Sequence, residues 1–238
     1  MSLPKAILLD LDNTILALTD SADPCWRRVS ERYASRIYGL TSERLFDAIK
    51  ESRAWFWKDP KRHRRGRMNL GVARREIVAG AFARLNIEAP ALANEMADSY
   101  TVEREEALQP FPGAVEALHH LRDQRVRLAL ITNGNAEAQR RKIDKFELGP
   151  LFDCIIIEGE FGVGKPDERV YLHALTQLSV KPEETWMIGD DLEWDVAAPQ
   201  RLGIYGVWLD FTGSGLPENS PVHPDRIIGS LSELLNGT

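Results

Sequence analysis

The chain has 238 residues, a formal net charge of −6, and is 43% hydrophobic and 28% charged, the balance of an ordinary soluble globular protein. That acidity argues against a surface built for nucleic acid or an acidic membrane. Two cysteines, Cys25 and Cys154, provide neither a disulfide framework nor zinc-ligand spacing. No apolar run nears the roughly 20 residues that span a bilayer, and the N-terminal run is too short for a signal peptide, so the expected setting is cytoplasmic.

In chain order, Ala6-Ile7-Leu8-Leu9 reads as a short strand buried on both faces, as in a parallel sheet. It runs into Asp10-Leu11-Asp12-Asn13-Thr14. Ligands of such sheets bind beyond the carboxyl ends of the strands, which puts Asp10 at a crevice and Asp12 one step along the loop. Two acids in a partly apolar setting resist ionisation together, so a metal ion or a shared proton is expected there.

From Asp23 to Ala107 only helical periodicity is legible. Helices are expected over Pro24–Tyr38, ending at Gly39; from Ser42, whose hydroxyl caps it, to just before Pro60; over Leu70–Leu85; and over Pro90–Ala107. Four helices with short connections make a small bundle. Between the second and third, Lys58 to Arg67 carries six basic residues against one Asp and reads as a solvated loop. The alternative is that Arg62, Arg64, Arg65 or Arg67 binds a second anionic group of a substrate. Trp55, Phe56 and Trp57 read as bundle core, and both cysteines as buried small hydrophobes. Gln109-Pro110-Phe111-Pro112-Gly113 then marks a boundary.

Beyond Gly113 helices and strands alternate: Ala114–Asp123, strand Val126–Ile131, Ala136–Phe146, strand Cys154–Ile157, Glu168–Leu178, strand Thr185–Ile188, Glu193–Leu202, strand Tyr205–Leu209, then a short strand and closing helix within Asp225–Leu235. The fold class expected is α/β: a Rossmann-like, doubly wound parallel sheet with an inserted all-helical domain. The catalytic core would take residues 1–15 and 111–238, and the helical insertion 16–110.

The strand ends carry Asp10 and Asp12; Thr132-Asn133-Gly134; Gly159 to Pro166, including Lys165; and Gly189-Asp190-Asp191 with Asp195. Gly159 to Lys165 also spells the opening of a P-loop. Pro166, however, stands where that motif needs Ser or Thr, and it is better suited to the first turn of a helix.

In order and spacing, Asp10-x-Asp12-x-Thr14, Thr132, Lys165 and Gly189-Asp190-x-x-x-x-Asp195 resemble the four motifs of the haloacid dehalogenase-like hydrolase superfamily, most of whose members are phosphatases. The resemblance covers nearly the whole chain, and it implies that 16–110 is a helical cap. It further implies that Asp10 is the nucleophile, forming an aspartyl-phosphate. Asp12 is then the general acid that protonates the leaving oxygen and the base that activates water. Mg²⁺ is implied on the Asp10 carboxylate, the Asp12 backbone carbonyl and the Asp190 carboxylate. Thr132 and Lys165 would hold the phosphoryl oxygens with the backbone of Leu11 and Asn133, while Asp191 and Asp195 support the site, Asp195 by orienting Lys165.

Elementary chemistry agrees with those roles. Phosphomonoester hydrolysis needs accelerations of up to ~10²¹-fold, drawn mostly from positioning and positive charge on the equatorial oxygens. Lys165 and a hard, oxygen-liganded cation supply charge, and a carboxylate nucleophile divides the displacement into two steps. Asp12 has to carry a proton in the first, which a crowded acidic site favours. The superfamily's dehalogenases and phosphonatases lack a carboxylate at the position of Asp12, so C–O–P substrates are expected. The partner is then a small phosphorylated metabolite. A phosphomutase of the same superfamily and a non-catalytic phosphometabolite-binding protein are the rivals. The sequence is silent on oligomeric state.

Overall fold

The computed structural model describes residues 3–19 and 21–235. Strand β1 (Ala6–Leu9) is buried along its whole length, and its neighbours explain why. It pairs in parallel with β2 (Arg127–Thr132) through Leu8↔Ala129 and with β4 (Thr185–Gly189) through Leu8↔Met187. Outside these lie β3 (Cys154–Ile157) on one side and β5 (Tyr205–Leu209) and β6 (Arg226–Ile228) on the other, in the order β3-β2-β1-β4-β5-β6 with every pair parallel. A central strand in such a sheet has no solvent side, hence an unbroken apolar run. Ala6 and Leu8 join a cluster with Val170, Tyr171, Ala174 and Leu178 of helix α9 (Glu168–Leu178), and Ile7 and Leu9, equally buried, point to the opposite face.

The chain winds outward from β1 to β3, then returns to β4 on the other edge of β1. This is the doubly wound α/β arrangement expected from the alternation, and its winding reverses between β1 and β4. In sheets of this kind the flanking connections part at such a reversal, and ligands bind there, beyond the strands' carboxyl ends. The connections are α6 (Ala114–Asp123), α7 (Ala136–Lys145), the single turn α8 (Glu158–Phe161), α9, a π-helical segment Leu192–Ala197 and α10 (Ala198–Gln200). The one α-helix expected over Glu193–Leu202 is thus replaced by a wider turn followed by a short α segment. Asp191 caps the wide turn by accepting from the N–H groups of Glu193 and Trp194, and the Tyr171 hydroxyl donates to the Trp194 carbonyl at 2.5 Å. Local widening of this kind re-aims a side chain, here Asp195.

The chain divides into two compact units, 1–17 with 109–238, and 18–108. Within the first, the Ala17 N–H donates to the Gln109 carbonyl at 2.9 Å and the Phe111 N–H to the Ile15 carbonyl at 2.9 Å, which ties together the points where the chain leaves and returns. The second is all-helical: α1 (Ala22–Ala34), α2 (Ser42–Lys58), α3 (Pro60–Met68), α4 (Leu70–Arg84) and α5 (Pro90–Ala107). Its core holds Trp26, Leu45, Ile49, Phe56, Ile77, Phe82 and Met96.

Several local expectations need correction. Helix α1 stops at Ala34, and tight turns occupy the stretch up to Gly39. The cap of α2 is Thr41, which accepts from the Arg44 N–H at 3.3 Å, rather than Ser42. The basic stretch is not a loop. Asp59 accepts from the Arg62 N–H at 2.8 Å and Pro60 occupies the first turn, so Pro60–Met68 forms a fifth helix. Phe56 is buried as expected, but Trp55 is half exposed, since adjacent helical residues point about 100° apart. Cys25 is buried, whereas Cys154 is only partly so.

Candidate active site

Asp10 follows β1 directly, and its N–H donates to the Ile188 carbonyl of β4 at 3.0 Å, which fixes it at the carboxyl end of the strand, where the winding reverses. Its Oδ1 accepts from Lys165 Nζ at 2.6 Å, and the same ammonium donates to Asp195 Oδ1 at 2.6 Å. Lys165 is 1% exposed. Asn133, just past β2, clamps the lysine's backbone: its Oδ1 accepts from the Lys165 N–H at 2.7 Å and its Nδ2 donates to the Lys165 carbonyl at 2.8 Å. A side chain at Gly164 would collide with Asn133 Oδ1, so the residue before this lysine has to be small.

Gly159 to Lys165 does not wrap an anion in the manner of a P-loop. Gly159 lies in α8 and its N–H is spent on the Gly134 carbonyl at 3.0 Å, while Lys165 turns inward to two carboxylates. Pro166, after a cis peptide bond, precedes α9 rather than occupying its first turn; the cap there is Asp167, accepting from the Arg169 N–H at 3.1 Å.

Asp190 follows β4. Trp208 Nε1 of β5 donates to its carbonyl at 2.8 Å, and Asn13 Nδ2 approaches its Oδ2 at 3.4 Å. Carboxylate oxygens of Asp10, Asp190 and Asp195 all lie within 4.8 Å of one another. Burial pushes Asp10 well above the usual carboxylate range although Lys165 opposes it, and burial likewise raises Asp195. Asp190 is pushed up to about 7, by burial first and then by Asp195. Burial works against the charge on Lys165, but Asp10 and Asp195 outweigh it and lift the ammonium well above the ordinary lysine range. One cation therefore faces three carboxylates. The negative excess, carried entirely by oxygen donors, suits a hard divalent ion that keeps several of its own waters, as Mg²⁺ does.

Asp12 is separate from this cluster. The crowding expected around it falls on Asp10, Asp190 and Asp195, while its own oxygens accept from Lys142 Nζ at 2.8 and 2.6 Å, and Oδ2 also from Gln139 Nε2 at 3.1 Å. Thr132 Oγ1 accepts from Gln139 Nε2 at 2.5 Å and still has its own hydroxyl proton to donate. The Leu11 carbonyl accepts from the N–H groups of Ile15 and Leu16 at 3.0 and 2.9 Å, and Asn13 takes φ +63°, which closes the loop after β1. Asp191 caps the π-helical turn, and its N–H donates to Asp195 Oδ2 at 3.1 Å.

Sequence reasoning passed over Gln139 and Lys142. Their spacing of three places both on one face of a helix that follows Thr132, but polar residues on a solvated helix look the same. Two of the four arginines of α3 are engaged locally: Arg62 lies over the Trp55 ring at 3.9 Å and Arg65 pairs with Glu76 at 2.5 Å.

Residues 4–203 match the family model described as haloacid dehalogenase-like hydrolase. The chain belongs to this family. A phosphoserine phosphatase of Thermus thermophilus is 37% identical over 147 residues, 61% of this chain and 57% of that one, so the match spans little more than half of that relative. A glyceraldehyde 3-phosphate phosphatase of Methanopyrus kandleri is 26% identical over 98% of this chain and 96% of its own length. Among solved structures, a magnesium-bound HAD-hydrolase, YfnB of Bacillus subtilis, superposes with a TM-score of 0.75 at 22% identity, over 99% of this chain and 98% of that one. A 2-haloacid dehalogenase of Pseudomonas syringae has the same fold, at a TM-score of 0.61 and 24% identity over 98% of this chain and 97% of that one. Among the described residues, no helix is long and apolar enough to cross a membrane.

Proposed function

We propose that this HAD-like hydrolase is a Mg²⁺-dependent phosphatase of small phosphomonoesters. Asp10 attacks phosphorus, the bond from phosphorus to the ester oxygen breaks, and Asp12 gives that oxygen its proton. Asp12 then takes a proton from water, which attacks the aspartyl-phosphate, releases inorganic phosphate and regenerates Asp10. Thr132, Lys165 and the backbone N–H groups of Leu11 and Asn133 hold the transferring oxygens. Mg²⁺ would be held by the carboxylates of Asp10 and Asp190 with the Asp12 carbonyl, and would neutralise charge on the phosphoryl group. Lys142 donates to both oxygens of Asp12, which holds that carboxyl in one orientation for the two proton transfers.

The observation that carries this reading is the buried Lys165 ammonium bridging Asp10 and Asp195 beside Asp190, at the point where the sheet's winding reverses. The relatives named as phosphatases of phosphoserine and glyceraldehyde 3-phosphate support small metabolites as the substrate class. The helical unit 18–108 is, in this reading, the cap that sets which ester is accepted. The test is phosphate release across a panel of metabolite phosphates. Asp10→Asn should remove turnover while the protein stays folded, and EDTA should stop phosphate release until Mg²⁺ is restored. A fully active Asp10→Asn enzyme would overturn the nucleophile, and an EDTA-resistant one the metal. Interconversion of sugar phosphates without net release would mark a mutase instead.

A further inference from the structure

Asp10 and Asp12 stand two residues apart, yet each has its own cation: Lys165 for the first and Lys142 for the second. Lys142 lies on α7, whose other charged side chains stay at the surface. There Arg140 pairs with Glu160 and Arg141 with Glu137. Lys142 instead reaches a carboxylate 130 positions earlier, and the two side chains are only 14% and 21% exposed. An exposed ion pair would do little to fix geometry; one this enclosed, holding both oxygens, restricts where the carboxylate can turn.

Gln139, one turn earlier on the same face of α7, is 2% exposed. Its amide nitrogen meets Asp12 Oδ2 at 3.1 Å, Thr132 Oγ1 at 2.5 Å and the Asn133 carbonyl at 3.1 Å. One side chain thus ties the loop after β1 to the end of β2. The start of α7 is itself anchored by Asn135, whose side chain accepts from the Ala138 N–H at 3.1 Å.

We propose that Gln139 and Lys142 are positioning residues for Asp12, so that α7 sets where the proton-transferring carboxylate stands relative to the phosphoryl oxygens gripped by Thr132. The inference rests on the phosphatase reading. Neither side chain needs to touch substrate. Their removal leaves Asp10 and Lys165 intact and lets Asp12 rotate, so the loss falls on the step in which the leaving oxygen gains a proton. That loss depends on the leaving group. An alkoxide leaves badly without a proton, whereas 2,4-dinitrophenolate leaves well without one.

The experiment compares kcat/KM for 2,4-dinitrophenyl phosphate with kcat/KM for whichever alkyl phosphomonoester the wild type hydrolyses fastest. Lys142→Met should lose about 10²-fold on the alkyl ester, the lower end of what general acid–base catalysis supplies, and less than about threefold on the dinitrophenyl ester. Gln139→Leu should shift the ratio the same way, Asp12→Asn should shift it furthest, and Lys142→Arg should recover most of the alkyl rate. If thermal unfolding shows that Lys142→Met does not fold, Lys142→Gln is read by the same ratio. Equal losses on both esters, or no loss on either, overturn the positioning role while leaving the phosphatase intact. A wild type that releases phosphate from neither ester sinks the phosphatase reading, and this inference with it.

Discussion

At the scale of single residues, the site is held by contacts that leave little room for substitution. A Cβ at Gly189 would collide with the carboxyl of Asp195, the group that accepts a hydrogen bond from Lys165. Gly189→Ala should therefore destabilise the protein by about 1–3 kcal/mol, the usual range for overpacking, and depress phosphate release as well. Urea unfolding and a phosphate assay on the same sample would check both. Charge gives a second prediction. Without a metal, folded Asp190 holds its proton up to about 7, whereas in the unfolded chain a carboxyl of this type loses it near 4. Between those values the folded state binds more protons than the unfolded one, so stability in EDTA should fall as pH rises from about 4 to about 7. Added Mg²⁺ should raise Tm more at pH 8 than at pH 5. A metal-free Tm that climbs across this window would contradict the assigned burial of the acid.

Elements differ in how openly the sequence announces them. Strands Cys154–Ile157 and Tyr205–Leu209 and helices Pro90–Ala107, Ala114–Asp123 and Glu168–Leu178 fall where periodicity and punctuation place them, because each buries a continuous run or one stripe. Helix α3 hides because it buries almost nothing apolar. Gly66 is its buried residue, seated where a Cβ would come within 2.7 Å of Phe56 and 2.9 Å of Trp57, while Arg62 rests on an aromatic ring and Arg65 on a carboxylate. The capping signal, Asp59 before Pro60, was there to be read, but six basic residues masked it. Helix α7 was legible as a helix but not as part of the site. Asn135→Ala, which removes its cap, should cost about 1 kcal/mol of stability. Hydrogen exchange should show the loss concentrated in 136–145.

At the scale of the whole molecule, β1 carries the most weight. Leu8 is fully buried between neighbouring strands and α9, so Leu8→Ala should destabilise by about 2–5 kcal/mol, read from the denaturant midpoint. The division into two units makes a further prediction. Ala17 and Gln109 are hydrogen-bonded to each other, so a short Gly-Ser linker can close the gap left by deleting 18–108 at small entropic cost. The shortened chain should fold cooperatively and keep Mg²⁺-dependent stabilisation while discriminating less among phosphate esters. Calorimetry and the substrate panel would check it.

The sequence by itself determined the architecture and the order of the chemistry-bearing residues. Strand burial, helix periodicity and the spacing of Asp10, Thr132, Lys165 and Asp190 are local properties, or become so once alternation implies a parallel sheet. Only the tertiary structure decided that Lys165 serves Asp10 as well as Asp195, that Lys142 pairs with Asp12, and that Gln139 reaches across to Thr132. Two of these partnerships, Lys165 with Asp10 and Lys142 with Asp12, join residues more than a hundred positions apart, and all of them depend on register, on a widened turn at Asp195 and on the face that α7 presents, none of which leaves a periodic trace in the chain.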